Sequence, residues 1–287
     1  MASIGVAIIN YNRFAMLRRV VESVLATDGG VVFDLLVNDV GSTDGGRAWI
    51  AEQEALGRCK ALFDPMPDDG PPVYSYAQSV NRCATHLFAM NPDAAYYFPL
   101  NNDNEVRPGW LVRCVETYAT DESIGHVGPK VLYGPEFSQM AGKVQSAGAF
   151  FRHFGHEWQT RSAYCGEPGT WVAPPYAVDY CGFGMYRRDL FEKFGGLSED
   201  FPPIYWDDPD WSLTLLTNGY RTVCDPRAVI IHDHLDTTRM YAEPERAHHF
   251  AANAGGGPNK QKFLAKWNDV LMSDGRRASI LPEVVGC

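Results

Sequence analysis

The sequence predicts an α/β fold, with a mostly parallel sheet and helices on both of its faces. The first hundred residues alternate between strand and helix patterns, an order that gives parallel strands joined by crossover helices. The opening run, 3–9, is apolar and rich in β-branched residues, which is typical of a buried strand. Polar clusters follow two strand patterns, at 38–39 and 101–104, and such sheets bind ligands beyond the carboxyl ends of their strands.

The elements of the first half follow in order. After the opening strand we expect Asn12 to cap a helix, whose apolar residues recur at helical spacing through 17–25 and which ends at Gly29-Gly30. A strand at 31–37 comes next, and then a turn in which Ser42 or Thr43 caps a second helix that runs to about residue 54. The remaining elements of this half are a strand at 61–63, a loop at 64–72, a helix at 76–90 and a strand at 95–100.

The second half is less regular. Its predicted elements are a helix at 108–118, a strand at 125–133, β or loop structure across 143–180, helices at 189–194 and 210–218, and a strand at 228–231. From about Asp236 the tail has two helical patterns separated by three glycines and Pro258, which predicts a C-terminal helical extension.

Composition excludes several classes of protein. With 45% hydrophobic and 21% charged residues among 287, the chain has ample apolar material for a core, so disorder is excluded as its main state. The 25 basic and 35 acidic residues give a net charge of −10, which disfavours nucleic acid as a partner.

Targeting signals are absent from the sequence. No apolar run reaches about 18 residues, so no transmembrane segment is predicted, and the first ten residues lack a signal-peptide pattern. The seven scattered cysteines form no C-x-x-C pair and are typical of buried thiols in an intracellular protein. We therefore expect a cytoplasmic location. The basic segment 260–266 is a candidate for peripheral contact with the inner face of the membrane, although packing on the sheet is the commoner reason for such an apolar stripe.

The first polar cluster reads N-D-V-G-S-T-D from Asn38 to Asp44. A carboxylate at a strand end, here Asp39, can accept hydrogen bonds from a base N–H or a ribose hydroxyl. A capped turn with a solvent-facing aspartate accounts for the same residues. This cluster alone therefore leaves both interpretations open.

The second cluster, Asn101-Asn102-Asp103-Asn104-Glu105, follows the aromatic strand at 95–100. Oxygen-rich side chains suit a hard divalent cation, and Mg²⁺ usually takes one or two carboxylates together with substrate phosphates. Asp103 flanked by amides fits that pattern. An asparagine-rich turn is the alternative interpretation.

The third cluster places Asp207, Asp208 and Asp210 within four positions. Neighbouring like charges raise one pKa, which favours a general base, whereas helix capping by Asp210 is the structural alternative. Trp206 and Trp211 flank the carboxylates, and they either stack on a sugar or base or belong to the core.

The fourth cluster, His232-Asp233-His234, follows the strand predicted at 228–231. An imidazole at a strand end can ligate a metal ion, and alternate residues of a strand point to the same face. Either histidine is therefore a candidate ligand, and a purely structural histidine is the alternative.

In their order along the chain, these clusters resemble the family 2 glycosyltransferases of the GT-A fold, most closely the non-processive, rhamnosyltransferase-like members. The resemblance covers roughly residues 3–270. The matching segments are 6–13 (VAIINYNR), 38–45, Asn81, 100–111 (LNNDNEVRPGWL), 182–210 and His232.

The chain departs from the family at two of these motifs. The position of the family's D-x-D motif reads Asn101-Asn102-Asp103, with one acid in place of two, which weakens the expectation of strict metal dependence. The Q-x-x-R-W motif of processive synthases is absent after Asp210, where the chain reads W-S-L-T-L-L-T-N-G-Y, and this favours transfer of a single sugar.

The resemblance implies a Rossmann-like GT-A domain with a nucleotide-sugar-binding half (1–100), a metal- and acceptor-binding half (101–235) and a helical tail (236–287). It implies an inverting, metal-dependent hexosyltransferase that moves one sugar from a nucleoside-diphosphate sugar, with UDP- or dTDP-sugars favoured. The acceptor would be a hydroxyl of a glycan, a lipid-linked sugar or a small molecule.

The resemblance also assigns roles to residues. Asp208 would be the catalytic base with Asp207 as the second candidate, and Asp103 and His232 would bind Mg²⁺ or Mn²⁺. The positions assigned to substrate binding are Ile9, Tyr11, Asn12, Arg13, Asp39, Asn81, Asn101, Asn102, Trp206, Asp210 and Trp211.

Three other classes of protein were compared with these motifs. A dinucleotide-binding oxidoreductase needs G-x-G-x-x-G after the first strand, and the segment Ile9-Asn10-Tyr11-Asn12 has no glycine. A sugar nucleotidyltransferase would need a basic, glycine-rich phosphate loop there. Arg13 is the one basic residue that supports such a loop, and it is insufficient by itself. A catalytically inactive carbohydrate-binding or scaffold protein is disfavoured because the chain retains Asp39, Asp103, Asp208 and His232.

Overall fold

The structure is a computed structural model that describes residues 3–27, 29–66, 74–137, 139–154, 157–233 and 257–273. Its helices are α1 (Phe14–Leu25), α2 (Gly46–Ala55), α3 (Tyr76–Met90), α4 (Trp110–Tyr118), α5 (Arg188–Phe194), α6 (Asp207–Thr217) and α7 (Pro258–Ser273). Its strands are β1 (Ser3–Asn10), β2 (Val32–Asp39), β3 (Lys60–Phe63), β4 (Ala94–Asn101), β5 (Asn104–Val106), β6 (Ile124–Tyr133), β7 (Val144–Ser146), β8 (Ala149–Phe154), β9 (Glu157–Ser162), β10 (Tyr176–Val178), β11 (Met185–Arg187) and β12 (Arg221–His232).

One sheet runs through both halves of the described chain, in the order β10-β12-β6-β11-β4-β1-β2-β3. The strands β3, β2, β1 and β4 are mutually parallel, and so are the long strands β6 and β12. The antiparallel partners β5, β7, β10 and β11 have only three residues each. The predicted α/β fold with a mostly parallel central sheet is therefore confirmed.

Helices cover both faces of this sheet, as predicted. One face packs against α1 and α4 through residues such as Leu17, Val20 and Trp110, which are fully buried. The other face packs against α3, α5 and α6 through Val80, Leu190 and other residues. Each helix turns an apolar stripe toward the sheet, because burial of that stripe stabilises the helix.

The register of the parallel strands brings their carboxyl ends to one edge. Asn10 at the end of β1 pairs with Asp39 at the end of β2, and Ile9 pairs with Asn101 at the end of β4. Asp39 in turn pairs with Phe63 at the end of β3. The polar clusters predicted at separate strand ends therefore lie side by side, where open α/β sheets bind ligands.

The predicted helix caps are wrong at both places. Asn12 does not cap α1; the side chain of Asp44 accepts a hydrogen bond from Phe14 N at 2.7 Å instead. Neither Ser42 nor Thr43 caps α2, which follows Gly45 at φ 89°. The reason is tertiary: Ser42 Oγ accepts from Asn12 N at 2.7 Å, so the loop residues bond across to the neighbouring loop.

Two elements begin earlier than predicted. Helix α6 begins at Asp207 rather than Asp210, and β12 begins at Arg221 rather than Ala228. The start of β12 was not predicted because this part of the strand contains charged residues. Asp225 is completely buried there, and its carboxylate accepts hydrogen bonds from Arg227 and Thr117. In contrast, α3 begins and ends as predicted, and Ser75 and Gln78 form a capping box at its start.

Five cysteines are buried and free, as the composition predicts: Cys59, Cys83, Cys114, Cys181 and Cys224. No helix among the described residues is long and apolar enough to cross a membrane. The candidate ligand His234 and most of the predicted tail, which starts at about Asp236, lie outside the described residues. The division into halves at residue 100 stays a prediction.

Candidate functional site at the carboxyl edge of the sheet

A buried polar network forms the floor of this edge. Asn10 Nδ2 donates to Asp39 Oδ2 at 2.8 Å and to Ser42 Oγ at 3.0 Å. Asn102 Nδ2 donates to Asn10 Oδ1 and to Asn12 O, each at 2.8 Å. These bonds hold the ends of β1, β2 and β4 together, so the network gives the edge a fixed shape before any ligand binds.

Asp39 is part of this floor rather than an open ligand. Its side chain is fully buried, and Oδ1 accepts from Gly41 N at 3.2 Å and Ser42 N at 2.9 Å. Arg47 Nη1 also approaches Oδ1, at 3.3 Å. The carboxylate predicted to hold the base and ribose is thus bonded to the chain, and it organises the loop that follows β2.

The turn after β1 has an unusual backbone. Asn12 and Arg13 are consecutive left-handed residues, with φ 55° and 60°, a conformation that costs energy for side chains other than glycine. Asn12 Oδ1 accepts from Thr43 N at 2.8 Å, which supports the turn. The turn directs Arg13 toward Asp103, with Nη1 3.9 Å from Oδ2. Tyr11, whose carbonyl lies 3.4 Å from Asn102 Nδ2, lines the same turn.

Asp103 and His232 meet at the centre of the edge. The short strand β5 pairs with β12, and Asp233 N donates to Asp103 O at 2.9 Å, so the two candidate ligands share one anchored corner. His232 Nε2 lies 3.5 Å from Asp103 Oδ1, and both side chains are nearly buried. Asn101 contributes its main chain here, because Asn101 N donates to Asn104 Oδ1 at 2.8 Å.

This corner fits a divalent cation. Among the described residues no hydrogen-bond donor reaches the buried Asp103 Oδ1, and an imidazole nitrogen faces it. A cation at this position would satisfy Asp103 Oδ1. No cluster of three acidic, histidine or cysteine side chains suited to a metal occurs in the described part of the chain. The remaining ligands would have to come from phosphate and water, as is usual for Mg²⁺.

Asp207 and Asp208 lie at the start of α6. Burial raises the pKa of Asp207 to about 6, with a further contribution from Asp210. Burial, and then the Asp207 charge, raise the pKa of Asp208 well above its ordinary value. A carboxylate whose pKa is raised in this way is a candidate general base.

Tyrosines connect the two carboxylate sites. Burial and then the charges of Asp208, Asp207 and Asp103 raise the pKa of Tyr76, the first residue of α3. Asp208 also contributes, after burial, to the raised pKa of Tyr186. Asp208 and Asp103 therefore both lie near enough to Tyr76 for their charges to raise its pKa.

Four residues predicted to bind substrate have contacts within the protein, and their roles in binding stay predictions. Trp211 is 2% exposed and lies in the core against Phe191 and Tyr186. Asn81 holds the loop after α5, donating to Leu197 O and accepting from Leu197 N, each at 2.9 Å. The other two contact α7, as follows.

Trp206 packs on Phe263 of α7, with ring centroids 4.9 Å apart, and Asp210 accepts from Trp267 Nε1 at 2.6 Å. Lys266 Nζ lies 2.8 Å from Asp210 Oδ1. The third acid of the cluster thus anchors the tail helix. From sequence spacing alone, Asp210 was grouped with Asp207 and Asp208.

Asp210→Ala is expected to lower the free energy of unfolding by about 1–3 kcal/mol, because it leaves the buried Trp267 indole N–H without an acceptor. Urea unfolding of both proteins measures the change. Trp267→Phe, which removes the donor and keeps an aromatic ring, serves as the comparison. Equal midpoints for Asp210→Ala and wild type would contradict this role.

Asp64 and Arg82 lie at this edge but belong to no motif predicted from the sequence. Asp64 directly follows β3 and is 1% exposed; its Oδ1 forms an ion pair with Arg82, while no described donor reaches Oδ2. Arg82 also stacks on Tyr74, 3.9 Å from the ring centroid. The position of Asp64 after a strand was the available signal, but the residues around it predict only a loop.

The sheet order, the polar edge and the carboxylate–histidine corner define a class of fold: the chain has the GT-A fold of glycosyltransferases. It is similar to GalNAc-T7 solved with UDP, GalNAc and Mn²⁺, with a TM-score of 0.62, 14% identity and coverage of 92% of this chain and 50% of that one. It is also similar to S. aureus TarS 1-349, with a TM-score of 0.54, 13% identity and coverage of 99% and 76%. A third similar structure is the mannosyltransferase PcManGT of Pyrobaculum calidifontis with GDP-Man and Mn²⁺, with a TM-score of 0.51, 16% identity and coverage of 97% and 76%.

Two curated proteins are similar in sequence. The O-antigen biosynthesis protein RfbC of Myxococcus xanthus is 28% identical over 244 residues, which cover 80% of this chain and 17% of that protein. The uncharacterized protein y4gI of Sinorhizobium fredii is 28% identical over 244 residues, which cover 82% of this chain and 25% of that protein. The chain thus spans a quarter or less of the length of these relatives. No family model matches it.

Proposed function

We propose that the chain is a nucleotide-sugar glycosyltransferase that transfers one sugar with inversion, in a metal-dependent reaction. One observation carries the proposal: Asp103 lies 3.5 Å from the imidazole of His232, and its charge and those of the base candidates Asp207 and Asp208 all raise the pKa of Tyr76. The neighbours of the same fold were solved with UDP, GalNAc and Mn²⁺ or with GDP-Man and Mn²⁺, which supports this class of donor.

Asp103 and His232 would hold Mg²⁺ or Mn²⁺ against the diphosphate of the donor. A bound cation neutralises the charge that develops on the leaving diphosphate. Arg13, which reaches within 3.9 Å of Asp103, adds a positive charge on the same side. The buried floor of Asn10 and Asn102 keeps the turn that carries Arg13 in place.

Asp208 would take the proton from the acceptor hydroxyl. The acceptor oxygen then forms a bond to the anomeric carbon, the bond from that carbon to the diphosphate oxygen breaks, and a single displacement inverts the configuration. Gly182 faces this carboxylate, since a Cβ there would lie 3.9 Å from Asp208 Oδ2. The missing side chain leaves room for an acceptor beside the base.

Asp64 and Arg82 would recognise the nucleobase of the donor through hydrogen bonds. Together they place a carboxylate acceptor beside a guanidinium donor, and Asp64 N bonds to Asp39 O at 2.9 Å, which ties the pair to the polar edge. Uracil, thymine and guanine each carry an N–H beside a carbonyl oxygen, which complements this pair. Cytosine and adenine carry a ring acceptor beside an amine and do not match it.

Wild-type protein is therefore expected to bind UDP or GDP about 10–100-fold more tightly than CDP or ADP, since a hydrogen bond to a charged group contributes about 1.5–3 kcal/mol. Calorimetric titrations in the presence of Mn²⁺ measure the four affinities. Asp64→Asn should reduce the discrimination, because an amide both donates and accepts. Asp93→Asn, at the opposite end of the sheet, is the control. Equal affinities for UDP and CDP would exclude this role of Asp64.

The remaining parts of the reaction are proposed on more general grounds. The acceptor is a hydroxyl of a glycan, a lipid-linked sugar or a small molecule, and the similarity to an O-antigen biosynthesis protein of Myxococcus favours the glycan. A cytoplasmic location agrees with the five buried free thiols. Contact of the segment 260–266 with the inner face of the membrane gains no support, because Lys260 is 6% exposed and Lys262 and Lys266 bond to Asp200 O and Asp210.

Product analysis tests the proposal as a whole. Protein with Mn²⁺ is incubated with UDP- and GDP-sugars, with and without a panel of glycan acceptors. Release of nucleoside diphosphate together with a β-linked product from an α-linked donor is the expected result. Formation of a nucleotide sugar from nucleoside triphosphate and sugar phosphate, with pyrophosphate release, would instead identify a nucleotidyltransferase. Donor binding without hydrolysis or transfer would identify an inactive carbohydrate-binding protein.

A further inference from the structure

The imidazole of His232 is oriented from three sides. Its Nδ1 lies 3.0 Å from Gln145 Oε1, its ring contacts Phe183 edge to face with centroids 5.1 Å apart, and its Nε2 points toward Asp103. Gln145 lies outside the motifs predicted from the sequence. Its contact with His232 results from the pairing of both strands with β6.

The two residues come from different strands. β12 pairs with one edge of β6, with Ile231 opposite Leu132, while β7 pairs with β6 through Val144 opposite the same Leu132. The strands that carry His232 and Gln145 therefore lie on opposite edges of β6, about 9–10 Å apart. Gln145 must span this strand to reach the imidazole, which requires a long side chain that ends in a hydrogen-bonding group.

We propose that Gln145 is a positioning residue that selects the Nδ1–H tautomer of His232 and so presents the Nε2 lone pair to a metal ion at Asp103. An amide oxygen can only accept a hydrogen bond, so its partner nitrogen must carry the proton. In neutral imidazole the other nitrogen then has a free lone pair, which is the form that ligates metals. The inference rests on the proposed metal-binding role of His232.

Three substitutions separate the contact from simple packing. Gln145→Met keeps nearly the same size and removes the acceptor. Gln145→Glu keeps an acceptor at the same reach. Gln145→Asn keeps the amide but shortens the side chain by one methylene, so it cannot span β6.

The first readout needs no metal. Two-bond ¹H–¹⁵N spectra of histidine-labelled protein, at a pH where imidazole is neutral, report the tautomer of His232, assigned with a His232→Ala variant. We expect Nδ1–H in wild type and in Gln145→Glu, and loss of this preference in Gln145→Met and Gln145→Asn. An Nε2–H tautomer in wild type, or an unchanged spectrum in Gln145→Met, would overturn the proposal.

The second readout is the affinity for Mn²⁺ alone, measured from the free-ion signal in electron paramagnetic resonance. Gln145→Met is expected to weaken it about 10–100-fold, and Gln145→Glu to preserve it. Unchanged affinity in Gln145→Met would refute the positioning role. Unchanged affinity in His232→Ala would instead refute the metal role of His232, and the tautomer spectra distinguish this failure from a failure of the Gln145 contact.

Discussion

Asp208→Asn is expected to lower kcat for sugar transfer about 10²–10⁴-fold, because the acceptor hydroxyl loses the group that takes its proton. The substitution keeps the size of the side chain and removes one of two mutually repelling carboxylates, so folding should not suffer. Nucleotide binding should persist, since the Asp103–His232 corner is unchanged. Steady-state kinetics and nucleotide titrations of the same preparations separate the two effects.

Asp93→Asn is the matched control for this substitution. Asp93 is an exposed aspartate directly before β4, at the opposite end of the sheet from the site. The same chemical change there is expected to leave kcat unaltered. Turnover retained by Asp208→Asn, with the control also active, would remove Asp208 from the role and leave Asp207→Asn as the next variant to measure.

The dependence of kcat/KM on pH is a second test of the same base. Because only the ionised pair accepts a proton, kcat/KM should fall as the pH drops through the pKa of the pair. Burial and then the charge of Asp207 raise the pKa of the base candidate Asp208 well above the ordinary 3.8, so the acid limb is expected well above pH 3.8. Asp207→Asn removes the charge that raises the pKa of Asp208, so it should move the limb to lower pH. A limb that stays in place would contradict the coupling.

The second large effect is expected for Asp103→Asn, which should abolish the dependence of nucleotide binding on Mn²⁺. A ligand at about 100 times its Kd stabilises a protein by roughly 2.7 kcal/mol. For a domain of this size that corresponds to a rise in Tm of roughly 5–10 °C. Wild type with UDP or GDP should show this rise only with Mn²⁺, and Asp103→Asn should not show it. The reason is that the variant replaces the one carboxylate oxygen that faces His232 Nε2.

Glu105→Gln is the matched control, because it removes one negative charge two residues away. Glu105 faces Arg107 and Arg19, at 3.6 Å and 3.8 Å, rather than His232. It should retain the Mn²⁺-dependent rise in Tm. Equal losses in both variants would mean that net charge, rather than a ligand at Asp103, governs nucleotide binding. A full rise in Tm for Asp103→Asn would exclude Asp103 as the ligand.

The elements of the fold were largely predictable because each depends on local pattern. Apolar runs gave β1 and β4, and helical spacing gave α1 and α3, so the α/β order followed directly. The two elements whose starts were predicted too late, α6 and β12, contain buried aspartates. The start of β12 was missed because Asp225 and Arg227 satisfy each other there, and no sequence pattern reports such a pair.

The sequence by itself determined which residue types stand at the strand ends, and therefore where the site lies: Asp39, Asp103 and His232 each end or follow a strand. Only the tertiary structure decided what each one does. Asp39 is bonded into the floor, Asp210 anchors α7, and Gln145 reaches His232 across β6. The physical reason is that a polar side chain bonds to whatever packing brings within about 3 Å. That partner is set by strand order and register, which the spacing of residues along one chain does not contain.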